Sequence, residues 1–207
     1  MTVNMERRAL VALGLLWLSG VRADASPDVT GLWSAAVRTR GGLGAQMAFT
    51  ATEVTSTFGA LVDFKYEIDG TKLKMASVDA RESAPAEAAA QEFKIEGNTL
   101  TTTAEGKPAQ IMTRVGSSHP GAHPIIGDWT YLHYTGVPAV QRFSRNGIMQ
   151  LSVPFQTRRG NYQLENNMAR IQFAGLPALA LTIKREGSVL TTSDAQGKEI
   201  RYAKFDY

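Results

Sequence analysis

The side chains best suited to metal binding or acid–base chemistry are three histidines, His119, His123 and His133. His119 and His123 lie four residues apart, a spacing that presents two ligands to one metal when the segment is helical. Pro120 and Gly121 lie between them and disfavour a regular helix, so we expect both histidines to be solvated in a linker. His133 lies in an alternating segment and is expected to pack on a strand. The sequence therefore predicts no metal site.

Motifs for nucleophilic or phosphate chemistry are not found in the sequence. No serine lies in a Gly-x-Ser-x-Gly context, and the sequence has no cysteine to supply a thiolate. The glycine-rich segment 41–44 lacks the lysine of a phosphate-binding loop, and we interpret it as a hairpin tip. Carboxylates are plentiful, but no two can be placed within acid–base reach of each other. We therefore predict a protein that is not an enzyme and uses no cofactor.

Arginines concentrate in the second half of the chain. Four of them are weak candidates for binding an anionic ligand, because a guanidinium offers a planar fork of donors: Arg142, Arg158, Arg159 and Arg170. A solvated surface is the alternative, and we favour it because exposed charges are the norm. The net charge is only +3 and the basic residues are scattered. This pattern predicts no binding to nucleic acid, which usually needs a basic stripe.

The first 25 residues have the pattern of a secretory signal peptide. Arg7 and Arg8 precede the apolar run Ala9–Leu18, which is shorter than the roughly 20 residues that span a bilayer. Ala23–Ala25 then places small residues before a cleavage site. We predict a signal peptide over 1–25, with an N-terminal anchor or a buried helix as the alternative. The mature chain has no second apolar run of spanning length, so we expect a bacterial periplasmic or secreted protein without a membrane span.

The remainder of the chain has the pattern of antiparallel β-strands. Turn signals such as Asp69-Gly70, Gly97-Asn98 and Asn146-Gly147 follow alternating segments. They recur about every 8 to 12 residues, as in sandwiches and barrels. No long amphipathic helix is indicated after residue 26. The predicted fold class is all-β.

An internal repeat is the most informative feature. Val29–Trp33 and Ile125–Trp129 share a Gly-x-Trp core 96 positions apart, whereas Glu96–Thr102 matches Glu186–Thr192 at an offset of 90. Residues 80–91 account for the difference, and we interpret them as an inserted surface loop or short helix. Matched order with a drifting offset predicts a duplication with an insertion.

The repeat divides the mature chain into two units. Residues 117–124 contain two prolines, a glycine and two serines, which is the composition of a linker. We therefore predict one domain over 26–116, a linker over 117–124 and a second domain over 125–207.

Each unit opens with Gly-x-Trp and closes with a Leu-Thr hairpin that carries Gly-Lys. This arrangement resembles the lipocalin-like small barrels of the calycin superfamily. The resemblance implies two tandem antiparallel barrels, and the alternative is one eight-stranded barrel. It also implies that each tryptophan closes one end of a barrel beneath a basic residue, a contact worth roughly 0.5 to 2 kcal/mol. The expected pairs are Trp33 with Arg114 and Trp129 with Lys204.

A binding module is the function class that these observations favour. We predict an exported, non-catalytic protein that takes a small, mainly apolar molecule in a barrel mouth, a frequent location for ligands. The alternative is an envelope protein that contacts another protein, including a protease-inhibitor-like module.

Overall fold

The computed structural model describes residues 26–78 and 89–207. The regular structure in these ranges consists of 14 β-strands, which confirms the all-β prediction. No helix of the described residues is long and apolar enough to cross a membrane. The predicted signal peptide lies outside the described residues, as does most of the predicted insertion at 80–91.

Every strand is antiparallel to its neighbours in the sheet. The strands are β1 (Gly31–Ala35), β2 (Leu43–Phe49), β3 (Glu53–Asp69), β4 (Lys72–Ser77), β5 (Ala89–Glu96), β6 (Thr99–Thr103), β7 (Gln110–Val115), β8 (Gly127–Leu132), β9 (Pro138–Phe143), β10 (Ile148–Glu165), β11 (Met168–Phe173), β12 (Leu179–Glu186), β13 (Val189–Ser193) and β14 (Glu199–Lys204).

The sheet closes into a ring. Strands that follow one another in the chain are paired, and β1 pairs with β14 to complete the closure. Because the ring contains 14 strands, the alternative of a single eight-stranded barrel is wrong.

A ladder between the two longest strands crosses this ring. β3 has 17 residues and β10 has 18, and they pair over most of their lengths, from Ile148 opposite Lys65 to Asn161 opposite Glu53. The other edge of β3 pairs first with β2 and then with β4. The other edge of β10 pairs first with β9 and then with β11. Each long strand therefore has one outer neighbour along its first part and a different outer neighbour along its second part.

The crossing ladder divides the ring into two closed circuits of eight strand segments each. Circuit A contains β1, β2, the first part of β3, the second part of β10 and β11 to β14. Circuit B contains the second part of β3, β4 to β9 and the first part of β10. Both circuits have a size at which side chains fill the interior.

Each circuit takes strands from both predicted repeat units. β1 to β7 lie in unit 26–116 and β8 to β14 in unit 125–207, yet the pairings place β1 and β2 in one circuit with β11 to β14. The expectation of one closed barrel per unit is therefore not met. The physical reason is the length of β3 and β10, which carry the chain from one circuit into the other. Segment 117–124 joins β7 to β8 within circuit B.

Two separate hydrophobic clusters correspond to the two circuits. The cluster of circuit A includes Trp33, Ile171 and Ile183, all without solvent contact. The cluster of circuit B includes Leu100 and Trp129, which are equally buried. Burial of each such side chain contributes roughly 1.5 to 3 kcal/mol. The interiors are thus apolar cores.

Two tyrosines 96 positions apart join the units in an equivalent way. The Tyr66 ring lies 5.2 Å from the Phe143 ring, and the Tyr162 ring lies 5.1 Å from the Phe49 ring, both edge to face. Both hydroxyls donate to a backbone carbonyl just after the partner's strand, over 2.5 Å and 2.8 Å. Each tyrosine comes from one unit and its partner from the other, so these contacts stabilise the exchanged arrangement. Burial raises the pKa of both phenols.

A glycine permits the close approach of β3 and β10 at the crossing. A Cβ atom on Gly59 would lie 2.2 Å from the carbonyl oxygen of Val153 and 2.9 Å from the Cα atom of Pro154. The register of the ladder shifts between Pro154 and Gln156 at this point, as in a β-bulge. Any side chain at position 59 would therefore push the two backbones apart.

We predict that Gly59→Ala lowers the free energy of unfolding by about 2 to 3 kcal/mol, because backbone atoms must move to admit the methyl group. Gly41→Ala is the matched control, since the nearest atom to its added Cβ is the Thr39 hydroxyl at 3.9 Å. The control should change stability by less than about 0.5 kcal/mol. Urea unfolding followed by tryptophan fluorescence measures both. Equal effects of the two substitutions would contradict the close approach.

Candidate functional site

The two tryptophans of the repeat have the same local geometry. The Trp33 indole N–H donates to the carbonyl of Val29 over 2.7 Å, and the Trp129 indole N–H donates to the carbonyl of Ile125 over 2.7 Å. Both rings are fully buried. The glycine two residues before each has a positive φ, of 116° and 127°. The buried indole N–H of each tryptophan is thus satisfied by the backbone carbonyl four residues earlier.

The basic residues above the tryptophans are exchanged relative to the expectation. The Arg114 guanidinium lies 4.0 Å from the ring centre of Trp129, and the Lys204 ammonium lies 5.5 Å from that of Trp33. The expected pairs of Trp33 with Arg114 and Trp129 with Lys204 are therefore wrong. β14 pairs with β1, and β7 pairs with β8, so each cation comes from the strand beside its tryptophan. Burial lowers the pKa of Arg114.

Arg142, the first of the arginine candidates, has a structural environment. Its Nε atom lies 3.3 Å from a carboxylate oxygen of Asp128, and Nε and Nη1 are buried without a hydrogen-bond partner. The Tyr207 hydroxyl donates to the other Asp128 oxygen over 2.6 Å. The Tyr207 bond attaches the segment after β14 to β8 of circuit B, and Arg142 supports this contact through Asp128.

The other three arginine candidates do not meet at one site. Arg158 and Arg159 are exposed neighbours on β10, so their side chains leave opposite faces of the strand. Arg159 lines a surface cavity of about 590 Å³ that also includes Asn161 and Gln172. Arg170 is exposed on β11. Their use in ligand binding stays a prediction.

The three histidines lie apart in chemically different surroundings. The His119 ring stacks on the Tyr207 ring with centres 4.9 Å apart. The His123 ring accepts a backbone N–H over 3.2 Å, and Nδ1 of His133 lies 2.8 Å from a threonine hydroxyl. Within 26–78 and 89–207, no three metal-ligating side chains form a group that could hold a metal ion.

A polar concavity lies where circuit A meets circuit B. This junction cavity has a volume of about 660 Å³. Residues of β1, the β1–β2 turn and β14 form one side, and residues of β3, the β9–β10 turn and β10 form the other. Its polar lining includes Ser34, Arg38, Arg40, Asp63, Ser144, Asn146, Gln150, Lys204 and Asp206.

A buried network of side-chain amides and hydroxyls forms the floor of the junction cavity. The Gln150 carbonyl oxygen accepts from the Ser34 hydroxyl over 3.0 Å and from the Gln46 amide over 2.6 Å. The Gln150 amide donates to Asp63 over 2.9 Å, and the Ser152 hydroxyl donates to Gln46 over 3.0 Å. Ser34, Gln46, Gln150 and Ser152 are all at most 5% exposed. A hydrogen-bonded network of this kind holds a buried surface in one geometry.

Arg38 extends this network to the cavity wall. Its guanidinium donates to the Asp63 carboxylate over 2.8 Å and to the carbonyl of Leu61 over 3.0 Å. Both charged side chains are mostly buried, at 16% and 26% exposed. The second carboxylate oxygen of Asp63 takes the Gln150 bond. Both oxygens of Asp63 therefore have donors from the protein itself.

None of the arginines selected from the sequence lines the junction cavity. The arginines that line the cavity are Arg38 and Arg40. They come just before the glycine-rich tip at 41–44, which the sequence analysis interpreted only as a hairpin tip. Two arginines beside a glycine-rich turn were the sequence signal that could have indicated a binding site here. These arginines line a cavity only because the β9–β10 turn, about a hundred positions further along the chain, forms the opposite wall.

Comparison with known proteins gave no match. No family model matches the chain. No curated protein and no solved structure matches it either.

We predict that Gln150→Met lowers the free energy of unfolding by about 3 kcal/mol. The thioether fills a similar volume but removes the three hydrogen bonds that Gln150 makes with Ser34, Gln46 and Asp63, and each loss costs roughly 1 to 3 kcal/mol. Gln163→Met is the control, because Gln163 is exposed on the same strand. It should change stability by less than about 0.5 kcal/mol. Thermal unfolding of both variants checks this. A Gln150→Met protein as stable as the control would contradict the network.

We predict that Tyr207→Phe costs about 1 kcal/mol at neutral pH, because the bond to Asp128 is lost. Burial first, and then the charge of Asp128, raise the pKa of Tyr207 above its ordinary value. A group whose pKa is raised by folding makes its full contribution to the free energy of unfolding below its pKa in the unfolded chain, which is about 10 for tyrosine. That contribution is lost as the pH rises toward the pKa in the folded protein. The difference between wild type and variant should therefore shrink above about pH 10.

Urea unfolding across the alkaline range measures this difference. Tyr134→Phe is the control, because Tyr134 is 92% exposed. The hydrogen bond between Tyr207 and Asp128 would be contradicted if the stability difference between wild type and Tyr207→Phe did not change with pH. It would also be contradicted if Tyr134→Phe showed the same difference.

Proposed function

We propose that this chain is a non-catalytic ligand-binding protein whose ligand occupies the junction cavity. The observation that carries the proposal is the combination of an accessible cavity of about 660 Å³ with a floor of buried amides held by hydrogen bonds. Small-molecule sites typically have volumes of 300 to 1,000 Å³ and a few oriented polar groups. The floor needs no rearrangement on binding, which reduces the entropic cost of association.

The interiors of the circuits support this choice of site. Both are occupied by apolar clusters, and each cluster contains a fully buried tryptophan. An apolar molecule inside a circuit would have to displace packed core side chains. The junction cavity has charged and amide groups on its walls, so the ligand we propose is polar and not the mainly apolar molecule expected from the resemblance.

The export and the family origin of the chain belong to the same proposal. We regard the two units as copies of one lipocalin-like module that has been exported from a bacterial cell to the periplasm or medium. The matched indole bonds and the paired cations at Trp33 and Trp129 support the duplication. A protein with no cysteine can function in an oxidising compartment without forming disulfides.

Contact with an envelope protein is the second candidate function. Phe58 and Phe155 are 45% and 63% exposed, and Phe58 lies opposite Gln156, the neighbour of Phe155. Exposed aromatic residues are favourable for protein contact, and both of these belong to the same ladder. This surface lies on the long ladder and is distinct from the lining of the junction cavity.

We predict that native mass spectrometry of the protein purified from its own envelope detects a bound small molecule. Ala203 lines the cavity, so Ala203→Trp should fill part of it and reduce the bound fraction at least about fivefold. Ala180→Trp is the control, because Ala180 is exposed on β12 and is not among the lining residues. A bound molecule that survives Ala203→Trp, or the absence of any bound molecule, would overturn the proposal.

A further inference from the structure

We infer that the ligand of the junction cavity is a small anion, such as a molecule that carries carboxylate or phosphate groups. This inference rests on the proposed function. It follows from the balance between donors and acceptors that remain available on the cavity walls.

Two cationic side chains of the lining have no anionic partner in the described part of the chain. Among those residues, no carboxylate oxygen lies within 4.0 Å of the Arg40 guanidinium or the Lys204 ammonium. Lys204 is held in position by the Trp33 ring beneath it. Arg40 is exposed at the mouth and can turn toward a ligand. A guanidinium is well suited to a planar oxyanion, which it binds through two parallel hydrogen bonds.

The amide side chains of the lining also present their donors to the cavity. The Asn146 carbonyl oxygen accepts from the Ser144 hydroxyl and from the backbone N–H of Ile148, which leaves its NH₂ group for a ligand. The Gln150 carbonyl oxygen is taken by Ser34 and Gln46. Its NH₂ group donates one bond to Asp63 and retains a second hydrogen.

Carboxylate acceptors are scarce by comparison. Both oxygens of Asp63 are engaged, by Arg38 and by Gln150. Asp206 is the one other carboxylate in the lining. A ligand rich in acceptors therefore matches more of the available groups than a ligand rich in donors. An anion gains further because hydrogen bonds to charged groups are about twice as strong as neutral ones.

The arrangement also predicts opposite effects for two substitutions at the cavity. Arg40→Gln removes an attractive charge and should weaken binding of an anion. Asp206→Asn removes a repulsive charge and should tighten it. A neutral ligand would respond little to either change, because interactions of exposed charges with neutral groups are weak.

The test is isothermal titration of the full chain with citrate, a tricarboxylate, and with sorbitol, a neutral molecule of similar size. We expect citrate to bind and sorbitol not to bind. Arg40→Gln should weaken citrate binding about threefold to tenfold, and Asp206→Asn should tighten it about twofold to fivefold. Arg170→Gln is the matched control, because Arg170 is an exposed arginine outside the lining. Thermal unfolding should show that all three variants remain folded.

The outcomes separate this inference from the proposed function. If sorbitol binds, Ala203→Trp abolishes that binding and citrate does not bind, the cavity is a ligand site but the anion class is wrong. If neither probe binds and no molecule co-purifies with the chain, both statements fall. If Arg170→Gln weakens citrate binding as much as Arg40→Gln, citrate responds only to overall charge and the inference is overturned.

Discussion

The antiparallel ladder between β3 and β10 is the interaction on which both closed circuits depend. It pairs residues between 83 and 108 positions apart, from Lys65 with Ile148 to Glu53 with Asn161. Closing so large a loop has an entropic cost that increases only slowly with loop length, and the ladder offsets it with a long run of backbone bonds. Without the ladder, the sheet would be one wide ring of 14 strands that its side chains could not fill. With it, the same strands enclose two cores of small-barrel size.

The exchange of strands between units has a direct consequence for the candidate site. Because β1 and β2 leave the first unit to complete circuit A, their outer face lies against the outer face of β10. Ser34 and Gln46 then contact Gln150 and Ser152 in a contact surface that is polar and buried. Buried polar groups tolerate little displacement once they are bonded. The circuits are thus held at an orientation that leaves the junction cavity open beside the network.

The equivalent ends of the two circuits illustrate how one local motif is used in a shared fold. Trp33 and Trp129 make the same bond to the carbonyl four residues earlier, and each lies beneath a cation from the neighbouring strand. The two tryptophan segments differ in the cation that lies above the ring. On the side of circuit A the cation is Lys204, which also lines the junction cavity. Its counterpart Arg114 instead donates to the carbonyl of Ile126. The tryptophan–cation pair therefore contributes to packing in both circuits, but a residue of the pair lines the junction cavity only in circuit A.

The sequence by itself determined the all-β class, most of the turns and the two tryptophan segments, because alternation, Gly-containing turns and Gly-x-Trp are local patterns. It did not determine which strands share a circuit, since strand pairing between positions such as 59 and 154 leaves no local signal. For the same reason the cations above the tryptophans were paired incorrectly, and Arg38 and Arg40 were overlooked. The junction cavity is made by segments that meet only through the β3–β10 ladder. Tertiary structure alone decided its position, its charge and its walls.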